Sequence, residues 1–222
     1  MERNDVQGQR RPLKVRQKQW TGRFARWLAQ REITPNQISL ASVLFALLGA
    51  GAFLVSGLLD GGWRWLFLLL AAAMIQGRLL CNLFDGMVAV EGGKSTPAGE
   101  LFNDVPDRVS DALLLVALGY SLPGFDSAPW LGWLGALLAV LTAYVRVLGS
   151  SLGVPADFRG PMAKQHRMAV LTVACVLSVL DVTWAVPGMA MWLALVLIAV
   201  GSVATCARRL MGIHDALSRG EG

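Results

Sequence analysis

The chain has 222 residues, of which 55% are hydrophobic and only 16% charged, with a mean hydropathy of +0.51. About a quarter of a soluble domain is charged, so this composition excludes a disordered chain and an ordinary cytosolic enzyme and points to a membrane. The net charge of +5, from 20 Lys and Arg against 15 Asp and Glu, would suggest nucleic acid in a soluble protein, but here the placement of the charges carries the information. Cys81, Cys175 and Cys206 have no paired spacing, which argues against a disulfide framework or a zinc site.

Residues 1–36 form a basic segment, with every cation from Arg3 to Arg31 on the N-terminal side of the first apolar run. It lacks the short apolar core and small-residue cleavage site of a signal peptide. Within it Trp20, Phe24, Trp27 and Leu28 fall on one helical stripe, with Arg16, Arg23 and Arg26 off it. That pattern predicts an amphipathic helix lying on an anionic leaflet, aromatic side down, or else packed on protein.

About 20 apolar residues cross a bilayer as a helix. Six candidate spans follow in order: Ile38–Leu59, Trp65–Leu83, Leu101–Tyr120, Trp130–Leu148, Met168–Val186 and Met189–Cys206. Turn chemistry separates them at Asp60-Gly61-Gly62, Glu91 to Lys94, Pro123-Gly124, Gly153 to His166 and Pro187-Gly188. The expected fold is all-α: one polytopic membrane domain over 1–222, with a six-helix core over 37–209 and a cytoplasmic tail over 210–222. If the N-terminus is cytoplasmic, only Arg64 among the 20 basic residues lies outside, so both termini are expected on the cytoplasmic side of an inner membrane.

Carboxylates at membrane depth are costly and mark functional sites by default. Asp85, Glu91, Glu100, Asp104, Asp107 and Asp111 crowd the second and third spans and their connection. Asn82, Asp85 and Ala89 share one helix face; Gly99, Asn103, Asp107 and Asp111 share another at steps of four. If the two helices are antiparallel neighbours, their polar ends converge into a cup of oxygen ligands, suited to Mg²⁺ or Mn²⁺. The bland alternative pairs these acids with Arg78 and Arg108 at helix ends.

The run from Asn82 through Asp85, Gly86, Ala89, Val90, Gly99 and Asn103 to Asp107 resembles the CDP-alcohol phosphotransferase signature, D-x2-D-G-x2-A-R-x8-G-x3-D-x3-D. The spacing matches throughout, while Asn82 and Asn103 stand for the first and third Asp, and Val90 for Arg. Thr34-Pro35-Asn36 and Tyr144-Val145-Arg146 resemble flanking features of the same family. The resemblance implies a membrane enzyme, commonly a homodimer, that moves a substituted phosphate from a CDP-alcohol to a hydroxyl and releases CMP. It implies Asp107 as the base, Asn82, Asp85, Asn103 and Asp107 as metal ligands, and Asn82, Asp85, Gly86, Ala89 and Gly99 around the nucleotide. Glu100, Asp104 and Asp111 are further candidate ligands that would offset the two Asn. One or two Mg²⁺ or Mn²⁺ ions are expected, and a second could arrive with the donor pyrophosphate.

Arg146, Arg159, Lys164 and Arg167 can bind phosphate, because guanidinium forks match phosphate oxygens; they can equally be positive-inside anchors. CDP-diacylglycerol is the expected donor, with a soluble CDP-alcohol as the runner-up. The competing classes are a divalent-cation carrier and a catalytically silent scaffold of the same fold. No nucleic-acid partner is expected.

Overall fold

A computed structural model describes residues 19–31, 33–91, 99–179 and 186–220. Among these residues there is no strand, and seven helices follow in order: α1 (Gln19–Gln30), α2 (Pro35–Gly57), α3 (Gly61–Glu91), α4 (Gly99–Tyr120), α5 (Ala128–Ser151), α6 (Lys164–Val179) and α7 (Met189–Ser218). Four of them, over Pro35–Gly57, Gly61–Ala89, Ala128–Ser151 and Met189–Ser218, are long and apolar enough to cross a bilayer. This is the composition of a multi-pass membrane protein. α4 falls short in hydropathy because its first half is acidic, and the described part of α6 has 16 residues. The connection over 92–98 and residues 180–185 at the end of the fifth expected span lie outside the described residues.

Local chemistry sets the ends of these helices. Thr34 caps α2 in a reciprocal box: the Gln37 N–H donates to Thr34 Oγ1 at 3.3 Å, and the Thr34 N–H donates to Gln37 Oε1 at 2.9 Å. Pro35 follows at the first helical position, where a missing N–H costs nothing. α3 is longer than its apolar run and carries Asn82, Asp85 and Gly86 within the helix. α7 likewise continues past Cys206 to Ser218, so most of the expected tail is helical.

α2 packs on α3 and α4, α4 on α5, α5 on α7, and α6 bridges α3 and α7. Leu114, Leu115, Leu118, Ile75, Phe53, Leu171 and Ile198 form the buried core where these helices meet. α4 and α5 approach closely at Gly119 and Gly132: a Cβ on Gly132 would lie 2.7 Å from the Leu115 carbonyl oxygen. Small residues admit such backbone contact, which drives helix association in lipid.

One face of α1 packs on protein, and its aromatic side chains point outward. Thr21, Ala25 and Leu28 are buried, the latter two against Phe84, Met87 and Val88 of α3, whereas Trp20, Phe24 and Trp27 stay 51%, 42% and 46% exposed. Leu28 therefore belongs to the protein-facing side rather than to the outward aromatic stripe. Phe24 stacks on Trp27 at 5.5 Å and tilts onto Phe84 at 4.6 Å.

Candidate active site

The polar ends of α3 and α4 meet, and the first Asn of the signature binds its last Asp. Asn82 Nδ2 donates to Asp107 Oδ1 at 2.6 Å. Asn82 and Asp85 are one turn apart on the same face of α3, so the two matched carboxylates look into the same space and interact electrostatically. Asp85 is buried; its Oδ2 accepts from Ser39 Oγ of α2 at 2.8 Å, and its Oδ1 has no hydrogen-bond partner. Pro106, immediately before Asp107, lies inside α4 and leaves one backbone bond of that helix unmade.

Asp107 is the most heavily engaged acid. Arg78 Nη2 donates to its backbone carbonyl at 3.1 Å and approaches Oδ1 at 3.4 Å, while Lys164 Nζ pairs with Oδ2. One turn further, Asp111 pairs with Arg78 Nη2 at 2.6 Å and with Arg167 Nη2 at 2.8 Å. Arg167 also donates to the Met162 carbonyl at 3.0 Å and to Thr142 Oγ1 at 3.3 Å. Arg78 is fully buried and its Nη1 reaches Met168 Sδ at 3.1 Å. Buried charges persist only when paired and hydrogen-bonded, and this cluster meets that condition across α3, α4, α5 and α6.

The remaining expected site residues distribute differently. Asn103 is exposed, and the side chain of Glu100 lies outside the described residues. Asp104 faces away from Asp107 partners: it pairs with Arg146 Nη2 at 2.8 Å and Arg108 Nη2 at 3.2 Å, and Arg146 lies over the Phe158 ring at 5.5 Å. Arg159 is largely exposed and chelated by Asp157 at 3.0 and 3.2 Å. Partial burial pulls the Asp157 carboxyl up, but hydrogen bonds from the Arg159 side chain and backbone outweigh it and hold it below the usual range. Gly86, Ala89 and Gly99 are half-buried beside the junction. Lys164 and Arg167, read as phosphate ligands, pair here with Asp107 and Asp111, and Asp111, read as a further metal ligand, pairs with the guanidiniums of Arg78 and Arg167.

Sequence reasoning weighed Arg78 only as a partner for helix-end acids, yet it is the hub of the cluster. Its signal was present: an arginine inside an apolar run, four residues before Asn82 and hence on the same face. Ser39 and Arg209 were missed. Arg209 is buried and donates to the Thr142 carbonyl at 2.6 Å and the Arg159 carbonyl at 3.0 Å, and Thr205 Oγ1 accepts from the Met162 N–H at 2.9 Å. These contacts pin the 152–163 connection to α7.

The donor set fits one hard cation better than two. Among the described residues no three His, Cys, Asp or Glu side chains converge. Asp85 Oδ1 is buried and accepts no hydrogen bond; with Asn82 one turn away on the same face, these two side chains would be the ones to hold an ion.

The family model for CDP-alcohol phosphatidyltransferase matches residues 32–200. A phosphatidylinositol phosphate synthase of Streptomyces avermitilis is 25% identical over 196 residues, 86% of this chain and 76% of its own. The inner membrane protein YnbA of Escherichia coli is 28% identical over 144 residues, covering 65% and 67% of the two chains. The solved Mycobacterium tuberculosis phosphatidylinositol phosphate synthase with CDP-DAG bound superposes with a TM-score of 0.72 at 21% identity, over 88% of this chain and 94% of that one. A second structure of that enzyme, with manganese and citrate, also gives 0.72 over 87% and 88%. On the family match, with Asp85 and Asp107 in register and facing one another, the chain belongs to the CDP-alcohol phosphatidyltransferase family of membrane enzymes.

Proposed function

We propose that the protein transfers the phosphatidyl group of CDP-diacylglycerol to a polar hydroxyl acceptor and releases CMP. The observation that carries this is the Asn82–Asp107 hydrogen bond, which closes the two halves of the signature on each other with Asp85 alongside. In the reaction the acceptor oxygen forms a bond to the phosphorus that bears diacylglycerol. The bond from that phosphorus to the CMP phosphate oxygen breaks, and the electron pair leaves with CMP. Asp107 takes the acceptor proton, as a positioned carboxylate can. For this its Oδ2 must leave Lys164, while Asn82 and Arg78 keep the other oxygen and hold the carboxyl in place.

Asp85 and Asn82 would hold a Mg²⁺ or Mn²⁺ ion that neutralises charge on the pyrophosphate. Arg146, with Arg108 beside it, is the cation we assign to a phosphorylated or otherwise anionic acceptor, because both share the half-exposed Asp104 and lie outside the buried cluster. The small residues Gly86, Ala89 and Gly99 leave room for cytidine. We further read α4 and α6 as spans, since each packs between the four long apolar helices. With six spans, the excess of basic residues on one side supports both termini and the site facing the cytoplasm, and the family resemblance supports a homodimer.

CMP release by the protein in lipid nanodiscs, supplied with CDP-diacylglycerol, divalent ions and a pool of polar acceptors, tests the proposal. Metal-dependent CMP with a new lipid mass supports it and identifies the acceptor. No CMP beside an active relative would overturn it in favour of a silent scaffold.

A further inference from the structure

Three acids and three bases are shut into one cluster between α3, α4 and α6. Asp85, Asp107 and Asp111 are 3%, 7% and 1% exposed; Arg78 and Arg167 are 0% and 2% exposed, and the Lys164 side chain is 22% exposed. Their formal charges cancel. Every cation is committed to a carboxylate: Arg78 to Asp107 and Asp111, Arg167 to Asp111, Lys164 to Asp107. Among the described residues Asp85 has no ion-pair partner, and one of its oxygens is buried without a hydrogen bond.

A neutral buried cluster resists a bare dication, because the ion would leave two uncompensated positive charges away from water. The pyrophosphate diester of a CDP-alcohol brings two negative charges. One divalent ion cancels them and restores neutrality; two ions leave an excess of two. The proteins's own cation at Asp107 therefore substitutes for part of the metal that an all-carboxylate site would need.

We propose that this site takes a single divalent cation, on Asp85, only together with a pyrophosphate diester, and that Lys164 Nζ supplies the charge of a second ion, at Asp107 before the donor binds and on a phosphate oxygen afterwards. The inference rests on the transferase reading and deepens it. Lys164 is suited to the role: it is the first residue of α6, and its flexible stem can swing the ammonium between Asp107 and a phosphate oxygen. Arg78 and Arg167 cannot do this, because both are anchored by further contacts, to Met168 Sδ and to the Met162 carbonyl. Donor binding would then draw Lys164 off Asp107 and free its Oδ2 for the proton.

The test counts Mn²⁺ by electron paramagnetic resonance on the purified protein in nanodiscs, with and without CDP-glycerol as a soluble pyrophosphate diester. The wild type should bind no stoichiometric Mn²⁺ alone and one ion with CDP-glycerol. Lys164→Met combined with Asn82→Asp removes one positive charge and adds one negative, and should bind one ion alone and two with CDP-glycerol. Lys164→Arg should keep the wild-type count. Two ions in the wild type, or none with CDP-glycerol, would overturn the proposal, as would a folded double variant with the wild-type count. If the double variant does not fold, the wild-type counts decide alone. CMP release from CDP-diacylglycerol by the same preparation separates the two ideas: its absence beside one diester-dependent ion would sink the transferase reading, and its presence beside two ions would sink only the single-ion proposal.

Discussion

Asp107 holds three partners, Asn82, Arg78 and Lys164, in a space that an aspartate in water would fill with solvent. As the proposed base it would act only in the transition state, so Asp107→Asn should cut CMP release by roughly 10²–10⁴-fold and leave CDP-glycerol binding within a few-fold. An equal loss of binding, measured by calorimetry, would reassign it to ground-state contacts. Arg78 is a different case, because it neutralises rather than reacts. Arg78→Met should cost about 3–5 kcal/mol by stranding Asp107 and Asp111, read as thermal unfolding in detergent. Asp85 and Asp107 were legible in the sequence because their spacing is helical and their matched positions lie on facing helices. The tasks of Lys164 and Arg167 were not, because the acids they neutralise lie more than forty residues earlier, on another helix. No local pattern distinguishes a cation that binds phosphate from one that holds a carboxylate. Asn103 shares the face of Asp107 but lies in the second turn of α4, at the open end of the groove, and exposure there is a matter of depth that periodicity does not report.

At the level of elements, hydropathy and helix function pull apart. α4 reads as a poor span because its acids are counted as if lipid saw them, whereas Asp107 and Asp111 face Arg78, Lys164 and Arg167 instead. The turn signals located the breaks well, and the Thr34 box shows why: capping residues act within their own turn and need no tertiary partner. Thr34→Ala should therefore lower stability by about 1 kcal/mol with little change in CMP release, measured on the same sample. The α4–α5 contact is less forgiving. Gly132→Ala puts a methyl group against the Leu115 carbonyl, and the helices must separate to admit it. A loss of about 1–3 kcal/mol is expected; an unchanged unfolding temperature would show that α5 slides freely on α4. The length of α3 and α7 was underestimated because apolar runs end where lipid ends, and these helices continue into polar surroundings.

For the whole molecule, the connection over 152–163 links the catalytic cluster to the last helix. Arg209 holds the Arg159 carbonyl and Thr205 the Met162 amide, so this loop has little freedom of its own. Arg209→Met should release it, speeding trypsin cleavage after Arg159 and lowering CMP release together, although Arg209 touches neither Asp85 nor Asp107. Faster cleavage with full activity would mean that Lys164 and Arg167 keep their places without the loop.

The cluster's makeup also sets an order of events during synthesis. α3 and α4 emerge from the ribosome with Asp85, Asp107 and Asp111, but with Arg78 as the one cation of the finished cluster. Until Lys164 and Arg167 follow on α6, the nascent bundle holds two more acids than bases at its heart, and bilayer hydrocarbon cannot accept them. On the proposed six-span topology the first four helices would wait with their acidic ends near water or headgroups, and α6 would bring the missing charge. Assembly of the membrane domain and assembly of the catalytic centre thus become one event, timed by the arrival of a lysine and an arginine three residues apart.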